Sequence, residues 1–321
     1  MQTMIDLQES PVHPSAAPVP VRIGRAARPP RATYHTANLA GINLFYREAG
    51  DPARPTVVLL HGFPSSSHMY RELIPLLATQ YHVLAPDYPG FGHSDQPSPA
   101  VFSYTFDHLA AVVEEWLATL KVDRYAIAVQ DYGAPVGFRL FARQPERITA
   151  IITQNGNAYE EGLSSAWADL RAYWNEKSPA NEAPVRRLLS AEVTKFQYIQ
   201  GVRNVSRISP DAWAVDQQTL DRAGNDVVQL ALFYDYQNNL RQYGAWQATL
   251  RRVQPPLLAV WGRNDPFFLP AGAEAFRRDV PAAEIHFFDT GHFALEEEVD
   301  AIAERILDFL ERNQVRDRLN P

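Results

Sequence analysis

The feature that most constrains this chain is a series of short, largely apolar runs spaced along it. They lie at residues 56–60 (Thr-Val-Val-Leu-Leu), 81–86, 125–130, 148–153, 256–261 and 284–288. A strand with no polar face must be covered on both sides, which is the condition of a parallel sheet between helical layers. The stretches between them supply those helices. Residues 104–120 place Phe106, Leu109, Val112, Val113, Trp116, Leu117 and Leu120 on one helical face. Helices are also expected from the end of the 125–130 run to about residue 143, at 270–278 and at 299–312. Residues 34–39 and 42–48, joined at Ala40-Gly41, read as a hairpin. The alternation predicts an α/β fold, a mostly parallel sheet wrapped by helices.

The alternation stops between residues 156 and 252. That stretch is rich in aromatic residues, has helical periodicity and contains no fully apolar strand. It reads as a helical cap inserted over the C-terminal edge of the sheet, the edge at which open α/β sheets bind ligands, and a cap there excludes water. The division is therefore a core of residues 34–155 and 253–321, a cap of 156–252, and a flexible Pro-, Ala- and Arg-rich tail of 1–33. The tail lacks the apolar segment of a secretory signal, and no apolar run reaches membrane-spanning length, so a cytoplasmic setting is expected. The 321 residues carry a formal charge of −7, which offers no basic face to nucleic acid or to an anionic membrane. The chain has no cysteine, excluding disulfides, thiolate metal sites and a thiol nucleophile. Oligomeric state is not encoded in any of these features.

The chemistry concentrates where strands end. Val129-Gln130-Asp131-Tyr132-Gly133-Ala134 joins a buried strand to a helix, the setting of a nucleophile elbow. The residue at its apex is Asp131 rather than serine. A carboxylate is ionised at neutral pH without a helper base. It attacks saturated carbon to give an ester whose carbonyl water can then open, whereas serine would give an inert ether. An aspartate elbow therefore suits cleavage of a carbon–halogen or epoxide carbon–oxygen bond. His292, in Asp289-Thr290-Gly291-His292-Phe293 after the last apolar run, is placed to take a proton from water. Asp265, in Trp261-Gly262-Arg263-Asn264-Asp265-Pro266, is placed to orient it. The competing position for that acid, after the 148–153 run, holds Asn155 and Asn157, neither of which carries charge. The nucleophile–acid–histidine order is that of the α/β-hydrolases. The backbone N–H groups of Tyr132 and of Phe63, in His61-Gly62-Phe63-Pro64, are candidates for an oxyanion hole. Asp87-Tyr88-Pro89-Gly90-Phe91-Gly92-His93-Ser94 is expected to shape the same rim, and His61 to organise its turn.

Together these motifs resemble the epoxide hydrolase and haloalkane dehalogenase branch of the α/β-hydrolases, from about residue 34 to 312. The branch usually carries Trp after the nucleophile, where this chain has Tyr132. Its dehalogenases hold the departing halide with indole or amide N–H groups, and its epoxide hydrolases protonate the departing oxygen with two cap tyrosines. The resemblance carries those roles to Tyr236, in Tyr236-Gln237-Asn238-Asn239-Leu240-Arg241, and to Tyr173, in Leu170-Arg171-Ala172-Tyr173-Trp174. Tyr234 and Tyr198 stand as substitutes, and Trp174, Tyr234 and Phe63 as substrate-binding residues. Trp174 keeps a halide-binding reading open. The resemblance implies no metal and no organic cofactor. It implies a small apolar organic substrate, an epoxide or an organohalogen, together with water. Epoxide hydrolysis to vicinal diols is the first reading and halide release the second. A ligand-binding protein on a hydrolase scaffold is the third, and the intact nucleophile, acid and base count against it.

Overall fold

The computed structural model describes residues 30–313 and residue 315. Most of the expected tail lies outside the described residues, and Thr33, placed in that tail, already belongs to the first strand. The strands are β1 (Thr33–Leu39), β2 (Ile42–Ala49), β3 (Thr56–Leu60), β4 (His82–Pro86), β5 (Tyr125–Gln130), β6 (Ile148–Gln154), β7 (Leu257–Gly262) and β8 (Glu284–Phe288). The core helices are α1 (Leu73–Leu77), α2 (Phe106–Thr119), α3 (Gly133–Arg143), α10 (Pro270–Asp279) and α11 (Leu295–Arg312). Between β6 and β7 run α4 (Ala168–Asn175), α5 (Pro179–Arg186), α6 (Ala191–Ile199), α7 (Pro210–Leu220), α8 (Asn225–Asp235) and α9 (Gln237–Val253).

The strands form one sheet in the order β1-β2-β4-β3-β5-β6-β7-β8. The β1–β2 hairpin turns through Ala40 and Gly41, both at positive φ, as a tight two-residue turn requires. β2 also pairs antiparallel with β4, and every later pairing is parallel. The central strands β3 to β7 are buried along their whole length, as their composition requires. β8 departs from the sequence expectation of a doubly covered strand. It is half-exposed throughout, because it pairs only with β7 and forms the sheet's edge.

The helical layers follow from their apolar faces. On α2, Phe106, Leu109, Val112, Val113, Trp116 and Leu117 are buried, and the Thr105 hydroxyl accepts from His108 N–H as an N-cap. The helices between β6 and β7 start in the same way, with Ser178, Ser190 and Ser209 side chains capping α5, α6 and α7. Most aromatic residues of this segment join the core cluster that covers one face of the sheet, whereas Tyr198 belongs to the cluster on the other face. Trp246 of α9, for example, stacks on Phe138 of α3 with ring centroids 5.6 Å apart.

The strand order fixes where a ligand can bind. From β3 the chain crosses to β4 on one side, and from β4 it crosses back to β5 on the other side of β3. The loops leaving β3 and β5 therefore diverge, opening a crevice at their C-terminal ends. Phe63 follows β3 and Asp131 follows β5. No helix among the described residues is long and apolar enough to cross a membrane.

Candidate active site

Asp131 sits at the apex of the β5–α3 turn with φ +46°, a left-handed conformation that costs a residue with a Cβ. Close approach of neighbouring backbone maintains it. A Cβ on Gly133 would lie 1.9 Å from the Leu60 carbonyl oxygen, and one on Gly62 would lie 2.3 Å from the Asp131 Cβ. Both positions admit only glycine.

The turn presents the two carboxylate oxygens differently. Oδ1 accepts from the backbone N–H of Phe63 at 2.8 Å and of Tyr132 at 2.6 Å. Oδ2 lies 3.9 Å from Nε2 of His292. The imidazole Nδ1 is 2.7 Å from Oδ2 of Asp265. Asp265 is itself held from two directions. Its Oδ1 accepts from Phe267 N–H at 2.7 Å, and its Oδ2 accepts from the Asn155 amide at 2.8 Å. Asn155, at φ +47°, also accepts from Gly262 N–H at 2.9 Å through Oδ1. The position after β6 thus clamps the acid that stands after β7.

All three ionisable groups are buried. Burial pushes the Asp131 carboxyl from 3.8 up to about 6, against the pull of His292 and the two N–H donors. Burial draws His292 down, but Asp265, charged and hydrogen-bonded to it, and Asp131 outweigh that effect and hold it above its ordinary 6.5. A covalent bond to Asp131 would remove one of those negative charges, easing His292 back toward the neutral form that a base requires. The resting carboxylate carries a direct pH consequence. The ionised fraction of Asp131 should fall about tenfold per pH unit below pH 6. Single-turnover modification of Asp131 should follow it, level well above pH 7 and dropping on the acid side. A rate independent of pH from 7 down to 5 would contradict this assignment.

The environment around these groups is aromatic. The His292 ring packs edge-on to Phe267 at 5.5 Å and stacks with Phe268 at 5.8 Å. A cavity opens above Asp131, lined by Phe63, Tyr132, Trp167, Leu170, Gln197, Phe233, Tyr236, Phe267 and Phe268 among others. Tyr236 forms part of its wall, its ring 5.9 Å from that of Tyr132 and 4.6 Å from that of Trp167. Its hydroxyl shares a hydrogen bond with that of Tyr243, which accepts from the Asn157 amide at 3.3 Å. Burial, Tyr243 and Asp131 hold the Tyr236 phenol well above its usual range, so it keeps its proton.

The structure thus brings together Asp131, His292, Asp265, Phe63, Tyr132 and Tyr236. It does not bring Tyr173, Tyr234 or Trp174 to the cavity wall. Helix α4 presents Leu170 to the cavity and directs the Tyr173 hydroxyl to Glu182 of α5 at 3.3 Å. Tyr234 packs against the Tyr173 ring and under the Lys177 ammonium. Trp174 lies behind Tyr236 and donates its indole N–H to the Phe233 carbonyl at 2.7 Å. Tyr198 bonds to Asp216 at 2.5 Å. The 87–94 run does not line the cavity. It braces the Phe63 turn instead, with Tyr88 N–H donating to His61 at 3.2 Å; burial pushes His61 down to about 4 and keeps it neutral.

Sequence reasoning passed over Gln130, whose amide lies 2.8 Å from His292 Nε2, and Gln197 in the cavity wall. The signal for Gln197 was a lone polar residue four positions after Val193 on an inward helical face, since Val193 also lines the cavity. Among the described residues no group of three or more His, Cys, Asp or Glu side chains is arranged to hold a metal ion.

Comparison with known proteins identifies the family of the fold. Residues 55–299 match the family model for the alpha/beta hydrolase fold. An uncharacterized hydrolase of Saccharomyces cerevisiae is 45% identical over 277 residues, covering 85% of this chain and 95% of the relative. A haloalkane dehalogenase of Mycolicibacterium paratuberculosis is 30% identical over 273 residues, covering 83% of this chain and 87% of the relative. Among solved structures, the epoxide hydrolase CorEH superposes with a TM-score of 0.71 at 20% identity, covering 88% of this chain and 99% of that one. With its eight-stranded sheet, its match to the family model and these relatives, the chain belongs to the alpha/beta hydrolase family and is similar over most of its length to a haloalkane dehalogenase.

Proposed function

We propose that this hydrolase opens small apolar epoxides to vicinal diols through a covalent ester on Asp131. The observation that carries the reading is the split environment of that carboxylate: one oxygen held by two N–H donors, the other beside a histidine–aspartate pair, under an apolar cavity. In the first step the Asp131 carboxylate attacks an epoxide carbon. The carbon–oxygen bond breaks, and the departing oxygen takes the Tyr236 proton. In the second step water gives a proton to His292 and attacks the Asp131 carbonyl carbon. Negative charge develops on the oxygen already held by Phe63 and Tyr132, where such donors act most strongly. Collapse expels the diol oxygen, which takes the proton from His292. The proton left on Asp131 returns to the Tyr236 phenolate. Asp265, fixed by Asn155 and Phe267, keeps Nδ1 protonated, so Nε2 carries the lone pair; the attacking water displaces the Gln130 amide that holds Nε2 at 2.8 Å in the resting site. The helices between β6 and β7 act as the cap that closes the cavity.

Leaving-group chemistry favours an epoxide over a halide. A halide needs N–H donors, and the cavity-wall indole of Trp167 is spent on the Phe267 carbonyl at 3.1 Å, as Trp174 is on that of Phe233. A basic alkoxide needs a proton, and Tyr236 retains one, on a hydroxyl that must turn from Tyr243 to the departing oxygen to deliver it. Halide release remains the second reading, favoured by the identity to a haloalkane dehalogenase, since Asp131 and His292 would serve it unchanged. The test is a single turnover of styrene oxide in ¹⁸O-water with excess enzyme. The label should appear in the Asp131 carboxylate and not in the diol. Label in the diol would mean direct attack by water, and halide from simple haloalkanes with no diol from any epoxide would install the second reading.

A further inference from the structure

The polar groups around the cavity can be accounted for one by one. The Trp167 indole is bonded to a backbone carbonyl, and the Tyr236 hydroxyl is bonded to Tyr243. The Tyr132 hydroxyl is enclosed and has no hydrogen-bond partner among the described residues, so a ligand in the cavity does not reach it. Gln197 differs from all of these. It is 5% exposed and lines the cavity. No described residue hydrogen-bonds its carboxamide, whose polar atoms are not enclosed by protein.

An amide that faces an apolar cavity and finds no protein partner contributes no hydrogen bond to the fold. At this position, beside Leu170, Leu188 and Val193, an aliphatic side chain would fill the wall equally well. The helix that carries Gln197 is also held rigidly. Ser190 caps α6 through Val193 N–H, Thr194 donates to Gln217 at 2.7 Å, and Tyr198 donates to Asp216. The Tyr198 ring stacks on Phe293 at 3.9 Å, which places α6 on the His292 side of the site. Tyr236 stands on the Tyr132 side. A substrate over Asp131 therefore meets one uncommitted amide from one wall and one phenol from the other.

We propose that Gln197 is a substrate-binding residue whose carboxamide N–H holds the oxygen of the bound epoxide opposite Tyr236, and that it selects oxygenated over purely hydrocarbon ligands. The inference rests on the epoxide reading above and supplies the second donor that Tyr173 does not provide. Charge growing on the ring oxygen strengthens the amide contact, while the proton itself still comes from Tyr236.

The experiment compares the wild type with Gln197→Leu and Gln197→Asn, each also in a His292→Ala background. Alkylation of Asp131 by styrene oxide is followed by intact mass, and affinities for 1-phenylethane-1,2-diol and ethylbenzene by calorimetry. Gln197→Leu should slow alkylation and weaken diol binding by about tenfold each, the effect of losing one hydrogen bond, with ethylbenzene bound as well or better. Gln197→Asn, too short to reach, should lose diol binding similarly. Equal shifts for diol and ethylbenzene, or no shift in either, would overturn the proposal and reduce Gln197 to wall packing. A wild type that styrene oxide does not alkylate, but whose preference for diol over ethylbenzene vanishes in Gln197→Leu, would sink the epoxide reading and leave the oxygen anchor standing.

Discussion

Replacing His292 with alanine should yield a protein that alkylates itself once and does not recover. The nucleophile needs no base, because Asp131 is already ionised near neutral pH, and its Oδ1 keeps both N–H donors. Water attack on the ester does need a base, and among the described residues His292 is the one imidazole within 4 Å of the Asp131 carboxylate. Steady turnover should fall by about 10⁴-fold or more, the scale seen when one member of such a catalytic set is removed. Incubation with styrene oxide should add one substrate equivalent to the protein mass, and the added mass should map to the peptide containing Asp131. Asp131→Asn should show neither turnover nor adduct. A His292→Ala protein that turns over at wild-type rate, or an adduct on another residue, would dismantle the mechanism.

Asp265→Asn is the second large effect, and it separates the two half-reactions. Asp265 accepts on both oxygens, from His292 and Asn155 at Oδ2 and from Phe267 N–H at Oδ1. An asparagine retains the shape but carries an N–H₂ group. Either its amide faces a donor, or it turns and forces the imidazole into the tautomer with Nε2 protonated. In both cases the negative charge that favours the imidazolium is lost. Ester hydrolysis should slow by about 10⁴-fold, while alkylation proceeds within a fewfold of wild type. Rapid-quench kinetics should show a burst of about one equivalent of substrate consumed, followed by a slow steady state. Equal slowing of both phases would place Asp265 in support of Asp131 rather than of the base.

How much of this was legible in the sequence depended on how local the determinant was. Largely apolar runs read as covered strands, so the central sheet could be read directly. The elbow, the Phe63 turn and the loops of Asp265 and His292 each leave a strand end, where backbone direction follows from the strand. Their convergence follows from the parallel order. Between β6 and β7 no such rule applies. Whether Leu170 or Tyr173 faces the cavity is set by the rotation of α4 against α5 and α8, and sequence does not fix that rotation. Tyr173, Tyr234 and Trp174 were misplaced for this reason. Gln197 was missed for a related one: a polar residue on an amphipathic helix reads as solvent-facing unless the helix has a cavity on its inner side. β8 reads as interior because it closes the series of apolar runs, yet Glu284 and His286 already alternate with Ile285 and Phe287, the pattern of a strand covered on one face only.

The groups at the site come from the ends of four different strands, β3, β5, β7 and β8, separated in the chain by the whole helical insertion. No contiguous fragment holds both the nucleophile and its base. During synthesis, the elbow carboxylate emerges long before any imidazole that could release a trapped alkyl group. A ribosome-bound chain that reacted then would be poisoned permanently. The two N–H donors to that carboxylate precede the insertion, but the aromatic wall does not: Trp167, Phe233 and Tyr236 belong to the insertion and Phe267 and Phe268 follow β7, so the pocket that would hold an apolar reagent against the carboxylate is completed only by segments made after it.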